Sequence, residues 1–392
     1  MNSNKKSIKI AYLTECNAAN KRCWSGTIYY MAKALQKHCG EVYPLGPVLV
    51  DEYYTVNLWK EASKAYPNKV YNCWNNVSAS LQFGKIFSKK LSQYPFDIIF
   101  APIAYKELAF INTDIPIIYL SDATFNLLLN YHPLYTNFMD ISICEGNMIE
   151  QLAINKSDIL LYATNWAANS GIQDYHAPKS KIHVVPFGAN LDYVPSQEVV
   201  LNKRKSKKCR LLFIGTNWES KGGDIAFETL LYLEKLGVKS HLTICGCTPP
   251  YKLFHDNITI IPFLDKNNKQ DFKRLYDLYL NSDFLILPTR NECFGIVFAE
   301  ACAFGVPCIT TNTGGVAEVV RNFENGFTLP LEASGLEYAN TISKIYKDDD
   351  SYYNLIKSSR KTFEEKLNWD SWAKSVKNII NETINNIKIN NK

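Results

Sequence analysis

Two carboxylates, Glu292 and Glu300, stand eight positions apart in Glu292-Cys-Phe-Gly-Ile-Val-Phe-Ala-Glu300, one before and one inside an otherwise apolar run that ends at Gly305. The run follows Asp283-Phe-Leu-Ile-Leu-Pro288, a short apolar stretch closed by proline that reads as a buried parallel strand, so Glu292 falls in a strand-to-helix loop. Glu300 then lies about one turn into the helix. The residues from Ile296 to Phe304 are apolar on nearly every side of that helix, which marks it as buried. An ionised group there without partners would cost several kcal/mol or be neutralised, so Glu300 accepts hydrogen bonds either from protein donors or from ligand hydroxyls. Sugar hydroxyls match the second case.

A cation and free amide groups stand in comparable loops. After the run Arg210–Gly215 comes Thr216-Asn-Trp-Glu-Ser-Lys221-Gly-Gly-Asp224, where Asp224 marks a helix start behind a glycine pair. Thr313-Gly-Gly315 leads similarly into a helix carrying Glu318. In open parallel sheets ligands bind beyond the carboxyl ends of the strands. Helix starts placed there offer free N–H groups and a positive dipole end to an anion, and Lys221 adds a full charge.

These loops need a scaffold. Strand-like runs alternate with helical patterns throughout: Ile8–Leu13, Asp97–Ala101, Ile115–Leu120, Asp158–Ala163 and Ile182–Pro186, then Arg210–Gly215, Leu242–Cys245, Ile258–Phe263, Phe284–Leu287 and Val306–Thr310. Such alternation predicts α/β architecture with parallel sheets covered by helices on both faces. The 392 residues fit two domains rather than one core. We place an N-terminal domain over 1–188, a linker over 189–209, a C-terminal domain over 210–368 and a final amphipathic helix over 369–392, carrying Trp369, Trp372, Val376, Ile379 and Ile380 on its apolar face and packing back towards the N-terminal domain.

Composition narrows the classes. Hydrophobic residues make up 46% and charged ones 21%, as in a globular protein, and no apolar stretch approaches the roughly 18 residues of a membrane span. The segment before Glu15 is too short for a signal-peptide core. Eleven cysteines without a Cys-x-x-Cys pair, several within apolar runs, point to a reducing cytoplasm. The net charge of +5 does not call for nucleic acid, and the one dense cluster, Lys203-Arg-Lys-Ser-Lys-Lys208, reads as a solvated linker. It also fits weak peripheral attraction to an anionic inner membrane face. His132, His176 and His183 lack ligand-like spacing, and Asp348-Asp-Asp350 reads as a helix boundary, so no metal is expected.

The segment Glu292–Pro307, followed by Thr313-Gly-Gly-Val-Ala-Glu318 and Asn325-Gly326, resembles the donor site of family-4 retaining glycosyltransferases, which carry a Glu-x7-Glu motif. The likeness extends to Leu212-Phe-Ile-Gly215 through Lys221-Gly222, to Lys181–Asn190, and to Trp24-Ser-Gly26 through Leu35. The resemblance implies the GT-B fold, two facing Rossmann-like doubly wound domains with a cleft between them. It implies transfer of a hexosyl group from a UDP- or GDP-sugar to a hydroxyl acceptor such as a glycan, glycolipid or protein-linked sugar in glycan biosynthesis. The nucleotide sugar is a substrate, and no cofactor is implied.

By the same likeness Glu300 accepts the donor ribose hydroxyls and Glu292 holds hydroxyls of the transferred sugar. The amides of Phe294, Gly295 and Ile296 face sugar and diphosphate, while Lys221 stabilises the departing diphosphate. Phe263 and Leu264, in Ile261-Pro-Phe-Leu264, lie against the base, and Gly26 lets the first loop approach the phosphates. Family members commonly have an arginine directly after the strand-ending glycine. Here Gly215 is followed by Thr216, so Thr216 or Asn217 is left to donate a hydrogen bond, with Arg290 as a second charge. Asp122, ending a first-domain strand, either orients the acceptor hydroxyl or caps the next helix. Trp24, Tyr29, Tyr30, Tyr53, Tyr54, Trp59 and Trp74 offer stacking surfaces for an acceptor, or pack in the core. A nucleotide-sugar epimerase and a non-catalytic sugar-nucleotide-binding subunit share these expectations for the fold.

Overall fold

Short apolar runs become strands here because helices cover them on both faces. The computed structural model describes residues 7–390 except 51–56, 58–60, 62, 63 and 67. Among these residues two parallel sheets of six strands form. The first holds β1 (Lys9–Tyr12), β2 (Glu41–Pro44), β3 (Ile98–Pro102), β4 (Ile117–Ser121), β5 (Ile159–Tyr162) and β6 (Ile182–Val184), in the order β2-β1-β3-β4-β5-β6. The second holds β7 (Cys209–Ile214), β8 (Ser240–Cys245), β9 (Ile258–Ile261), β10 (Phe284–Leu287), β11 (Cys308–Thr311) and β12 (Gly326–Leu329), in the order β12-β11-β10-β7-β8-β9. Strand order therefore reverses direction between β1 and β3 in one sheet and between β7 and β10 in the other. Those are the topological switch points at which open parallel sheets receive ligands.

The chain divides into two units, one of residues 1–186 with 372–392, the other of residues 187–371. In the first, Ile99, Tyr119, Leu160 and Tyr162 from the sheet pack with Phe83 and Phe87 of the helix Val77–Ser92 and with Ala153 and Ile154 of the helix Asp140–Lys156. Trp372, 1% exposed, meets the edge of Phe100 at 5.8 Å, and the Cys39 thiol donates to the carbonyl of Ala373. In the second, the buried Asp283 accepts from Arg210 Nε and Nη2 at 3.1 and 2.9 Å and from Tyr352 at 2.8 Å. That ties β7 to β10 at the end opposite their ligand-side loops.

The segment 189–209, read from sequence as a linker, is counted in the second unit and holds the helix Gln197–Leu201, whose Val200 is fully buried. The basic cluster is likewise docked rather than simply solvated. Lys203 donates to the carbonyl of Ser282, Lys205 to that of Tyr346 at 3.0 Å, and Lys208 to Asn257 at 2.8 Å. Asp349 and Asp350 do begin a helix, Asp349–Glu365. All eleven cysteines are free, and no helix among the described residues is long and apolar enough to cross a membrane.

Candidate functional site

The loops leaving β7 and β10 flank the switch point of the second sheet, and hydrogen bonds stitch them together. The Ser220 carbonyl accepts from Arg290 N at 2.8 Å and from Thr289 Oγ1 at 3.2 Å, while Ser220 Oγ donates to Asn291 Oδ1 at 3.0 Å. Gly222 makes the approach possible: its φ is +72°, and a Cβ on it would stand 2.0 Å from the Pro288 carbonyl oxygen. Only glycine serves there.

This lacing brings Lys221 to Glu292. Nζ and Oε2 are 2.7 Å apart, with side chains 21% and 18% exposed, so the pair is sheltered yet open to solvent. Each charge neutralises the other, and a ligand that engages either must take it from its partner.

The helix starts after the three adjacent strands β7, β10 and β11 share one feature. The helices Gly223–Lys235, Ile296–Ala303 and Val316–Val319, which follow β7, β10 and β11, are preceded by Gly222, Gly295 and Gly315 and have no side-chain cap. The helices that follow β9 and β12 at the flanks of the same sheet are instead capped by Asn268 and Ser334, whose side chains accept first-turn N–H groups. The glycine-led starts leave those groups available to an anion or hydroxyl oxygen. Gly295 has φ +78°, and a Cβ there would collide with the Phe298 ring at 2.3 Å and crowd Glu292 Cγ at 3.2 Å. Phe294 itself is buried, its ring 4.9 Å from that of Phe187, so only its main chain can meet a ligand. Asp224 lies in the first turn of its helix and accepts from Trp218 Nε1 at 3.0 Å; Gly222, not Asp224, is the cap.

Glu300 is 1% exposed on the helix Ile296–Ala303 and has found protein donors. Tyr279 donates to Oε2 at 2.8 Å and Lys266 to Oε1. Tyr279 is fully buried and Lys266 is 16% exposed, so one partner is fixed and the other borders solvent. Neither was legible beforehand. Lys266 follows β9 only two residues beyond Leu264, and its position after a strand on the ligand edge was the available signal. Tyr279 sits on the buried face of the helix Lys269–Leu280, where a tyrosine looks like any other apolar residue.

The remaining expected residues are placed as follows. Thr216 and Asn217 are exposed in the loop after β7, and Asn217 Oδ1 accepts from Ser220 N at 2.8 Å, shaping the loop. The Arg290 guanidinium donates to the carbonyls of Leu331 and Pro288 at 2.7 and 3.2 Å and to Thr311 Oγ1 at 3.2 Å, binding neighbouring loops. Phe263 is 51% exposed just after β9, with Leu264 half-buried. Gly26, with φ +94°, and Asp122 belong to the first unit. Asp122 follows β4 half-buried, and Thr124 rather than Asp122 caps the helix Phe125–Leu128. Tyr53, Tyr54 and Trp59 lie outside the described residues. Among the described residues no cluster of His, Cys, Asp and Glu is placed to hold a metal.

Comparisons with known proteins speak to family and fold. Residues 198–362 match the family described as glycosyl transferases group 1. A D-inositol 3-phosphate glycosyltransferase of Xylanimonas cellulosilytica is 27% identical over 258 residues, 60% of this chain and 59% of that protein. The chain spans about half the length of the curated relatives it matches. A solved glycosyltransferase from Rickettsia africae superposes with a TM-score of 0.64 at 18% identity, covering 96% of this chain and 98% of that one. Anabaena Alr3699/HepE, solved with UDP and glucose, gives 0.61 at 15% identity over 96% and 100% of the two chains. The comparisons thus place residues 198–362 in likeness to the group 1 glycosyl transferases, and the chain has the α/β two-unit GT-B fold of its solved neighbours.

Proposed function

We propose that this chain is a retaining glycosyltransferase that moves a hexosyl group from a UDP- or GDP-sugar to a hydroxyl of a glycan, glycolipid or protein-linked sugar. The observation that carries the reading is the Lys221–Glu292 ion pair, set between two uncapped helix starts at the switch point of the sheet inside the family-matched segment. The UDP and glucose of the Anabaena structure support the donor class, and the relatives named as glycosyltransferases favour transfer over epimerisation.

The chemistry follows from the charges. A nucleoside diphosphate arriving at the two helix starts draws Lys221 towards its phosphates and frees Glu292 to accept hydroxyls of the sugar. Ribose hydroxyls replace Lys266 on Glu300, while Tyr279 keeps the carboxylate oriented. As the bond from the anomeric carbon to the diphosphate breaks, negative charge grows on the departing oxygen, and a preorganised ammonium and amide dipoles lower the energy of that state selectively. The acceptor oxygen bonds to the same face of the anomeric carbon, and its proton passes to the departing phosphate, so the configuration is retained without a covalent intermediate on the protein. No metal is assigned to these steps.

A thermal-shift panel of nucleoside diphosphates and their sugar conjugates tests the donor class, because a ligand that binds only the folded state raises its melting temperature. Mass spectrometry of the products with the best donor then separates transfer from epimerisation. Stabilisation by no nucleoside diphosphate would overturn the reading.

A further inference from the structure

The first unit has a switch point of its own, between β1 and β3, and a cavity of about 280 Å³ lies beside it, lined by residues that follow both strands. Glu15 comes from the loop after β1 and Lys106 from the segment after β3; Asn72, Trp74, Asn75, Leu134, Tyr135 and Phe138 also line the wall. We propose that this cavity binds one ring of a neutral sugar. As a binding site the proposal stands on the cavity alone; as the acceptor site it rests on the transferase reading above.

An unmet hydrogen-bonding demand is the first support. Asn72 is 2% exposed, and among the described residues its Nδ2 has no partner, whereas its Oδ1 accepts from Trp74 N at 3.2 Å and its backbone N–H donates to Ser142 Oγ at 2.9 Å. A buried donor left without an acceptor costs about 1–3 kcal/mol, which a ligand hydroxyl would return. The second support is Trp74. It is 60% exposed although the adjacent Asn72 fixes its main chain, leaving a large rigid ring face at the cavity wall. The C–H face of a pyranose fits such a surface.

The charges then select a neutral ligand. Lys106 Nζ stands 2.7 Å from Glu15 Oε1, with side chains 12% and 37% exposed, so the wall presents a donor and an acceptor with no net charge. Glu15 N donates to the buried Glu107 at 3.2 Å, placing a second carboxyl behind the first. An anion entering here would have to take Lys106 from Glu15 and remain beside acidic side chains. Vicinal hydroxyls can instead donate to Glu15 and accept from Lys106 and Asn72. The volume is near the lower end of the roughly 300–1,000 Å³ usual for small-molecule sites, which suits a single ring.

Saturation-transfer NMR with the full chain and a panel of methyl glycosides (gluco, galacto, manno and N-acetylgluco, each as both anomers) tests the site without any donor. At least one glycoside is expected to bind in the millimolar range, with Trp74→Ala weakening it about tenfold or more while leaving the melting temperature and UDP binding unchanged. Trp74→Phe, which keeps a ring face, should recover part of the loss. Absence of binding across the panel, unchanged binding in Trp74→Ala, or displacement of the glycoside by inorganic phosphate would each overturn the proposal. A chain that binds glycosides but no nucleoside diphosphate would sink the donor reading and leave this one standing.

Discussion

Lys221 and Glu292, 71 positions apart in the chain, form a 2.7 Å ion pair across the switch point of the second sheet. The pair stores both charges in a compensated form, each side chain neutralising the other. Ligand binding becomes an exchange of partners.

Lys221→Ala removes the ammonium from the departing diphosphate. A hydrogen bond to a charged group contributes about 1.5–3 kcal/mol, so turnover should fall about 10- to 150-fold with the melting temperature little changed. Single-turnover kinetics with the best donor provide the check, and wild-type rates would remove Lys221 from the chemistry.

Glu300→Gln keeps the shape of the side chain and removes its charge. Nucleoside-diphosphate affinity should drop about tenfold, equal to about 1.4 kcal/mol, because an amide cannot accept two ribose hydroxyls as a carboxylate does. Calorimetry measures this directly. Equal affinities would return Glu300 to a purely structural role with Tyr279 and Lys266.

Gly222→Ala places a methyl group against the Pro288 carbonyl, at a backbone φ of +72° that alanine disfavours. We expect a loss of about 2 kcal/mol or more in urea denaturation together with weakened donor binding, since the loops after β7 and β10 can no longer close on each other. A variant with unaltered midpoint would show that these loops yield easily.

Glu150 is 1% exposed and bonded by Tyr119 at 2.9 Å; burial pushes its carboxyl up to about 8 from 4.5. The folded state thus holds the proton longer than the unfolded chain. Stability from this source is fully present below about pH 4.5 and is lost as pH rises through about 8. Denaturation midpoints should fall between pH 5 and pH 8, and Glu150→Gln should flatten the decline, leaving a smaller slope from Glu107, which burial raises to about 7. Parallel profiles for the two proteins would refute this.

The strands inside each sheet were readable because burial on both faces turns them into continuous apolar runs, as in Phe284–Leu287. The edge strands β2 and β12 escaped, since Glu41–Pro44 and Gly326–Leu329 are half-solvated and carry mixed residues. At the site, the glutamates and Lys221 were legible as charges in strand-to-helix positions. Lys266 and Tyr279 were not, because partner choice depends on which loops three-dimensional folding brings together. The partners of Arg290 were hidden for the same reason: a guanidinium in a loop gives no sign that Leu331 and Thr311 of two other segments will meet it.

Because residues 187–371 form one unbroken unit while Trp372 completes the other, the order of synthesis has a consequence for the nascent chain. The later unit is finished while the earlier one still lacks the tryptophan that covers Phe100. Until the ribosome adds that closing helix, the older sheet must persist with an open flank, a window in which chaperone capture and misassociation compete with maturation.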